Sequence, residues 1–350
     1  LPAGFHLQVA AEQPNVAQPI AMAWDSRGRL WIVENYTYAE QKMKFDDRLS
    51  DRILIFEDRD NDGTLETRKV FLDQGKHVTS IEIGFGGVWV LGPPQLLFIP
   101  DQDRDDVPDG EPQVVLDGFD ALTTHHNMAN GLRFGPDGWL YGRHGIQAIS
   151  KVGAPGSSDL DRKSFSCAIW RYHPEQKIVD VVTHGTTNSW GMDWDKNGHL
   201  FFINTVIGHL WHALPNAHLR RMYGEHIAPD IYESMEMVAD HFHFDQGKED
   251  WTAVRKGVSD ATDAAGGGHA HSGMLIYQSD QWPQEYRDKL YTINFHGRRL
   301  NVERLDRGEA GFVGRHEADF CFMADHWFRG IDLSTGPDGS VFILDWSDTG

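Results

Sequence analysis

A tight turn followed by an apolar strand recurs six times along this chain. The copies are WDSRGRLWIVE at 24–34, FGGVWVLG at 85–92, FGPDGWLYG at 134–142, WDKNGHLFFIN at 194–204, YRDKLYTIN at 286–294 and GPDGSVFILDW at 336–346. The turn half has a clear mechanism. In Pro136-Asp137-Gly138 the proline fixes φ and the glycine tolerates φ > 0, so the chain reverses cheaply before each strand. Measured between Leu30, Val88, Leu140, Leu200, Leu290 and Val341, the steps are 58, 52, 60, 90 and 51 residues. Each step holds roughly four strands, and repeated four-stranded sheets are the mark of a propeller. The expected fold is all-β, a six-bladed β-propeller with one mixed insertion on its top face, forming a single domain over residues 1–350. A β-sandwich with coincidental Gly-Asp turns is the alternative.

The long step places the insertion at about 213–268. There the alternation fades, IYESMEMVADHFHF (231–244) reads as a short helix, and DATDAAGGG (260–268) reads as a soft closing stretch. Long propeller insertions commonly cover the face that carries the site. The sixth unit looks short. FHLQVAA (5–11) is expected to supply an outer strand; for the strand still missing, either the natural protein continues beyond Gly350 or the last blade is short. The chain opens on Leu1, which reads as a processed or cut N-terminus.

A formal net charge of −20 argues against nucleic acid and anionic membranes as partners, since both need positive surface. No apolar run is long enough for a transmembrane helix, so direct membrane insertion is not expected. Cys167 and Cys321 sit in apolar strand contexts and read as buried free thiols. No Cys-x-x-Cys-His haem site, phosphate-binding loop or serine-hydrolase elbow is present.

Three constellations could carry chemistry. The first is a pair of acidic loops, with Asp58, Asp60, Asp62 and Glu66 in one and Asp101, Asp103, Asp105 and Asp109 in the other. Oxygens at alternate positions around a turn suit Ca2+ in a structural role, and an acidic hairpin without an ion is the alternative. The second is a set of histidines at strand ends: His125, His126, His144, His209, His212, His269, His271 and His296. Period-2 alternation puts His269 and His271 on one face of a strand, and the same holds for His241 and His243 if DHFHF is extended. The third is a group of polar and aromatic residues at similar levels of the units. Thr187, Asn188 and Trp190 stand in one, Arg298 and Arg299 in the next, and Trp327, Phe328 and Arg329 in the last. Arginine can clamp carboxylates and tryptophan can stack on a planar ring. Packing between sheets is the alternative for each.

The stretches AWDSRGRLWIVENYTY, THHNMANGLRFGPDGWLYGRHG, GTTNSWGMDWD, HAHSGMLIYQ, NFHGRRLN and WFRGIDLSTGPDGSVFILDW resemble the membrane-bound dehydrogenase domain of many planctomycete and verrucomicrobial proteins. The resemblance covers about residues 5–346 and extends, more distantly, to soluble quinoprotein glucose and sorbosone dehydrogenases. It implies pyrroloquinoline quinone (PQQ) and Ca2+ on a propeller. It also implies a histidine base on a sugar or alcohol hydroxyl, and a cytochrome c-type electron acceptor, which in such proteins can be a domain of the same natural chain. A periplasmic or secreted location follows. The base falls on His126, with His125 the alternative. Cofactor or substrate contacts fall on Asn188, Trp190, His269, His271, Arg298, Trp327 and Arg329. Thr187 stands where those quinoproteins have an arginine, and Trp327 stands where they have one of two clamping arginines. Two other readings remain from the residues alone. One is a transition metal among the histidines supporting hydrolase, lyase or redox chemistry on a carbohydrate. The other is a non-catalytic, calcium-stabilised carbohydrate-binding propeller.

Overall fold

The computed structural model describes every residue except 41, 61, 228–232, 247, 248, 251, 255 and 347–350. Regular structure among the described residues is almost all strand, with one short helix, Asp260–Ala265, and one 3-10 turn, Gln284–Tyr286. No helix among them is long and apolar enough to cross a membrane. The chain divides into two compact units, Leu7–Val182 and Thr183–Gly350, the latter including Leu1–His6.

The first unit is built from antiparallel meanders. One sheet runs Pro19–Trp24, Leu30–Glu34, Asp51–Glu57, Thr67–Gly75, and the next runs Ser80–Gly84, Gly87–Gly92, Gln95–Pro100, Gln113–Asp117. A third begins Asn130–Phe134, Leu140–His144, Ala168–His173 and continues into Ile178–Thr186. The recurring turn explains why these sheets form. Asp25 Oδ1 accepts from the backbone N–H of Arg27 and Arg29, and Gly28 takes φ +77°. Asp137 and Gly138, Asp195 and Gly198, and Asp338 and Gly339 repeat the device. The aspartate satisfies turn N–H groups that would otherwise be orphaned, and the glycine takes the left-handed residue.

In the first unit the strand after the turn is buried along its whole length, as in Leu30–Glu34, Gly87–Gly92 and Leu140–His144, whereas Val341–Asp345 in the last repeat is mostly half-buried. A strand covered on both faces reads as a continuous apolar run rather than an alternation. Trp89, Phe119, Phe165, Trp170 and Tyr172 fill one core of this unit. Fully burying a large apolar side chain contributes about 1.5–3 kcal/mol.

The second unit holds Met192–Trp194, Leu200–Ile203 and Leu210–Ala213 as one sheet. A larger sheet runs His271–Ile276, Leu290–Asn294, Arg299–Gly308, Gly311–His316, with Cys321–Phe322 pairing beside Arg299–Gly308. The last repeat forms a two-stranded sheet, Gly330–Thr335 with Val341–Asp345.

Three local expectations need correction. Of 231–244, residues 231 and 232 lie outside the described residues, and 233–244 contain no helix. Its backbone is instead tied sideways by isolated pairings, Met235 with Leu219 and Ala239 with Gly314, and bends between Asp240 and Phe244. The helix lies instead in the stretch read as soft. Ser259 caps Asp260–Ala265 by accepting from Thr262 N–H, and Gly266 terminates it at φ +132°. Residues 5–11 form no strand. Phe5 is held edge-on by Trp282, Tyr286 and Phe320 at 5.1, 4.9 and 5.0 Å, and Ala10 O accepts from Leu65 N–H. Both cysteines are buried and free, as expected.

Candidate functional site

The strongest convergence of chemical side chains lies in the second unit. His209 stands just before the strand Leu210–Ala213, where its backbone O closes a hairpin with Asn204 N–H. Asp240 to Phe244 forms no strand and bends at Asp240, His241, His243 and Phe244, held by Asp240 N–H on Gly314 O and Gly268 N–H on His243 O. His241 and His243 nevertheless meet, Nε2 to Nε2, while the rings of Phe242 and Phe244 lie 5.9 Å apart. Glu303 comes from Arg299–Gly308, paired opposite His316 and Leu290.

The Nε2 atoms of His209, His241 and His243 lie 3.2, 3.1 and 3.1 Å from the same oxygen, Glu303 Oε1. The Nε2 atoms of His241 and His243 are 3.2 Å apart. Glu303 and His243 are 0% and 1% exposed, so this charge has been taken out of water. Burial alone would raise the Glu303 carboxyl, but hydrogen bonds from the three imidazoles hold it well below the usual carboxylate range. Burial, reinforced by His209, pushes His243 down to about 3. Burial also opposes protonation of His241, but hydrogen bonds to Glu303 and Asp240 overcome it and raise that imidazole.

A second ring of contacts orients the first. His241 Nδ1 lies 3.0 Å from Asp240 Oδ1, and His243 Nδ1 lies 2.8 Å from His271 Nε2. His316 stacks on His241 and meets Asp319, which also receives Arg299 and Asn301. His209, His243, His269 and His271 border a small depression with Val206, Phe242 and Phe244.

The sequence pointed to the histidines here but missed Glu303. Its signal was present, since Arg299, Asn301 and Glu303 repeat a polar side chain at period 2 along one strand, and all three are buried. His271 meets the cluster through His243, with Nε2 2.8 Å from His243 Nδ1. His269 lies at its border, with its ring 4.8 Å from that of His296.

Arg298 and Arg329 converge elsewhere in the same unit, on a residue the sequence did not single out. Arg298 Nη1 lies 2.5 Å from His326 Nδ1, and Arg329 Nη1 donates to His326 O at 3.1 Å. The Arg329 guanidinium also lies over Phe295 at 5.5 Å, and Trp327 is 56% exposed. Arg298 forms no ion pair with a carboxylate among the described residues. Asn188 is buried, its N–H donates to Asn204 Oδ1 at 2.7 Å, and its Oδ1 has no hydrogen-bond partner. Trp190 is partly buried, and its backbone O accepts from Gly273 N–H.

In the first unit His125 and His126 have different surroundings. His125 stacks on Tyr38 at 4.0 Å, and its Nε2 lies 2.6 Å from Ala39 O. Burial pushes its ring down. His126 is exposed. His144 is fully engaged, with Nε2 on Ser150 Oγ at 2.6 Å and Nδ1 on Gly145 O at 2.8 Å.

The acidic loops differ from each other. Ligand atoms of Asp58, Asp60, Asp62 and Glu66 lie within 4.8 Å of one another, as do those of Asp101, Asp103 and Asp105. Asp109 is not part of that second group, and its Oδ2 accepts from Gln102 N–H at 2.5 Å. Asp58 and Glu66 likewise accept from backbone N–H groups of their own loop. Asp101 is buried, with Oδ1 lacking a hydrogen-bond partner. Burial, then the neighbouring aspartates, raise its carboxyl.

Comparison with solved structures shows the β-propeller fold of sugar dehydrogenases. An oxidoreductase of glucose dehydrogenase type from Thermus thermophilus is 16% identical, covering 96% of this chain and 92% of that one at TM-score 0.61. The PQQ-bound aldose sugar dehydrogenase of Streptomyces coelicolor is 15% identical, covering 98% and 91% at TM-score 0.58. The soluble aldose sugar dehydrogenase of Escherichia coli, in its apo form, is 13% identical, covering 96% and 94% at TM-score 0.57. Curated proteins give no match. The family described as Domain of unknown function (DUF7133) matches residues 1–349, and this chain belongs to it.

Proposed function

We propose that this chain is the dehydrogenase domain of a periplasmic or secreted quinoprotein, a six-bladed propeller that oxidises a sugar or another alcohol and passes the electrons to a cytochrome c-type acceptor. The observation that carries this reading is the likeness over nearly the whole chain to sugar dehydrogenases, one of them PQQ-bound.

The residues present fit a planar ring bearing carboxylates. Arg298 and Arg329 supply two guanidiniums around His326, Trp327 supplies an exposed indole, and Asn188 Oδ1 is a buried acceptor without a donor. Arg298 and Arg329 hold the cofactor's carboxylates, and Trp327 covers a ring face. When bound, PQQ supplies the hydride acceptor. His126 takes the proton from the substrate hydroxyl, since His125 is held by Tyr38 and Ala39 and is poorly placed to exchange one. Ca2+ is proposed at Asp101, Asp103 and Asp105, where a buried, partnerless oxygen and crowded like charges favour a hard cation.

The test is an absorbance titration of the folded protein with PQQ in the presence of Ca2+, run beside Arg298→Gln. Saturable binding to the wild type, weakened about tenfold or more in the variant, supports the reading. Equal binding by both proteins removes Arg298 from the cofactor site, and no binding by the wild type overturns the PQQ assignment.

A further inference from the structure

We infer that His209, His241, His243 and Glu303 form a binding site for one divalent first-row transition-metal ion. Nothing in the dehydrogenase reading requires this site, and the inference does not rest on that reading.

The geometry comes first. Three imidazole nitrogens meet one carboxylate oxygen at 3.1–3.2 Å, and all four ligand atoms lie within 4.8 Å of one another. Metal–ligand bonds of about 2.1 Å in a tetrahedral set put neighbouring donors about 3.4 Å apart. A contraction of a few tenths of an ångström is what hydrogen bonds produce when protons stand in for the ion. The donors come from three separate stretches of chain, each fixed by strand pairing or backbone hydrogen bonds, so the set is preorganised.

Charge and satisfaction point the same way. Glu303 is fully buried, and its Oε2 has no hydrogen-bond partner. Arg299, on the same strand, is engaged by Asp263 and Asp319 instead. A carboxylate kept from water among imidazoles is costly unless a cation sits with it. Nitrogen donors with one oxygen suit Zn2+, Mn2+ or Fe2+ better than Ca2+ or Mg2+, which prefer all-oxygen sets.

The surrounding contacts are those of ligands held for a metal. His241 presents Nε2 to the cluster while Nδ1 meets Asp240, and His243 presents Nε2 while Nδ1 meets His271. This arrangement fixes the ring orientation and raises ligand basicity.

The experiment uses untagged protein, stripped with a chelator and checked for folding by circular dichroism. Zn2+, Mn2+, anaerobic Fe2+ and Ca2+ are titrated separately, and Co2+ serves as a spectroscopic probe. The expected result is one equivalent of a transition ion, little competition by Ca2+, and Co2+ visible bands of an ordered nitrogen–oxygen site. Glu303→Gln and His243→Ala lose at least 100-fold in affinity. His241→Asn, at the half-buried edge of the cluster, is the variant least able to disturb folding and loses at least tenfold. Asp240→Asn, one step further out, loses about tenfold. Failure of folded wild-type protein to bind any of the transition ions overturns the inference. So does binding that His241→Asn and Asp240→Asn leave unchanged, which would assign the ion to surface histidines.

Discussion

His243 Nδ1 lies 2.8 Å from His271 Nε2, so one proton sits between the two rings. When His243 offers its Nε2 lone pair to an ion, that proton belongs on Nδ1 and His271 Nε2 accepts it. The His271 proton is then on its own Nδ1, a buried atom with no hydrogen-bond partner. Removing the acceptor with His271→Leu is expected to weaken transition-metal binding about tenfold, whereas His271→Gln, which keeps an acceptor, recovers part of the loss. Metal competition against a chromophoric chelator measures both. Equal affinity in all three proteins would show that the pair plays no part in ligation.

His144 makes the pH prediction. Burial pushes it down to about 4, below the unfolded value of about 6.5. The unfolded chain therefore binds a proton more readily than the folded one between those values. Stability is full above about pH 6.5 and falls as pH drops toward 4, by an amount on the order of 3 kcal/mol from this group. Denaturation midpoints across pH 4–7, compared with those of His144→Gln, are expected to show a flatter profile in the variant. Identical slopes would contradict the assignment.

The Asp-Gly turns are expected to rank by their engagement. Asp25 accepts from two backbone N–H groups, from Arg29 Nε and from Trp31 Nε1, and it is mostly buried. Asp338 is exposed and serves only Ser340, through its backbone N–H and hydroxyl. Asp25→Ala is expected to cost about 2–4 kcal/mol and Asp338→Ala about 1 kcal/mol or less. Urea unfolding of the two variants checks the order.

These turns were the legible part of the fold. Each rests on contacts within four residues, so sequence alone specifies it, and the buried strand that follows announces itself as an apolar run. The helix at Asp260–Ala265 was hidden because its signal is one serine cap and a few alanines before three glycines. The non-helical course of 233–244 was hidden for a different reason. Its partners, Leu219 and Gly314, are distant in sequence and impose a conformation that local propensity does not favour. The candidate site divides in the same way. His241 and His243 stand two residues apart in DHFHF and are visible as a pair, although the segment bends and alternation does not place them, whereas Glu303 reaches them only through the register of another sheet.

His125 and His126 are expected to separate stability from turnover. His125→Ala removes the stack on Tyr38 and the contact with Ala39, and is expected to lower stability by about 1–2 kcal/mol. His126→Ala, at an exposed ring, is expected to leave the unfolding midpoint within about 0.5 kcal/mol and to reduce turnover by about 100-fold or more. Full turnover by His126→Ala would remove that histidine as the base.

The proposed activity is oxidation of an alcohol through a bound quinone. The most direct measurement is a single-turnover experiment. Folded protein loaded with PQQ and Ca2+ is mixed anaerobically with a panel of aldoses and simple alcohols, and cofactor absorbance is followed. Reduction by at least one sugar or alcohol is expected, at a rate that saturates with substrate and drops about 100-fold in His126→Ala. A cofactor that stays oxidised across the panel, in protein shown to be saturated with it, would contradict the proposed dehydrogenase activity.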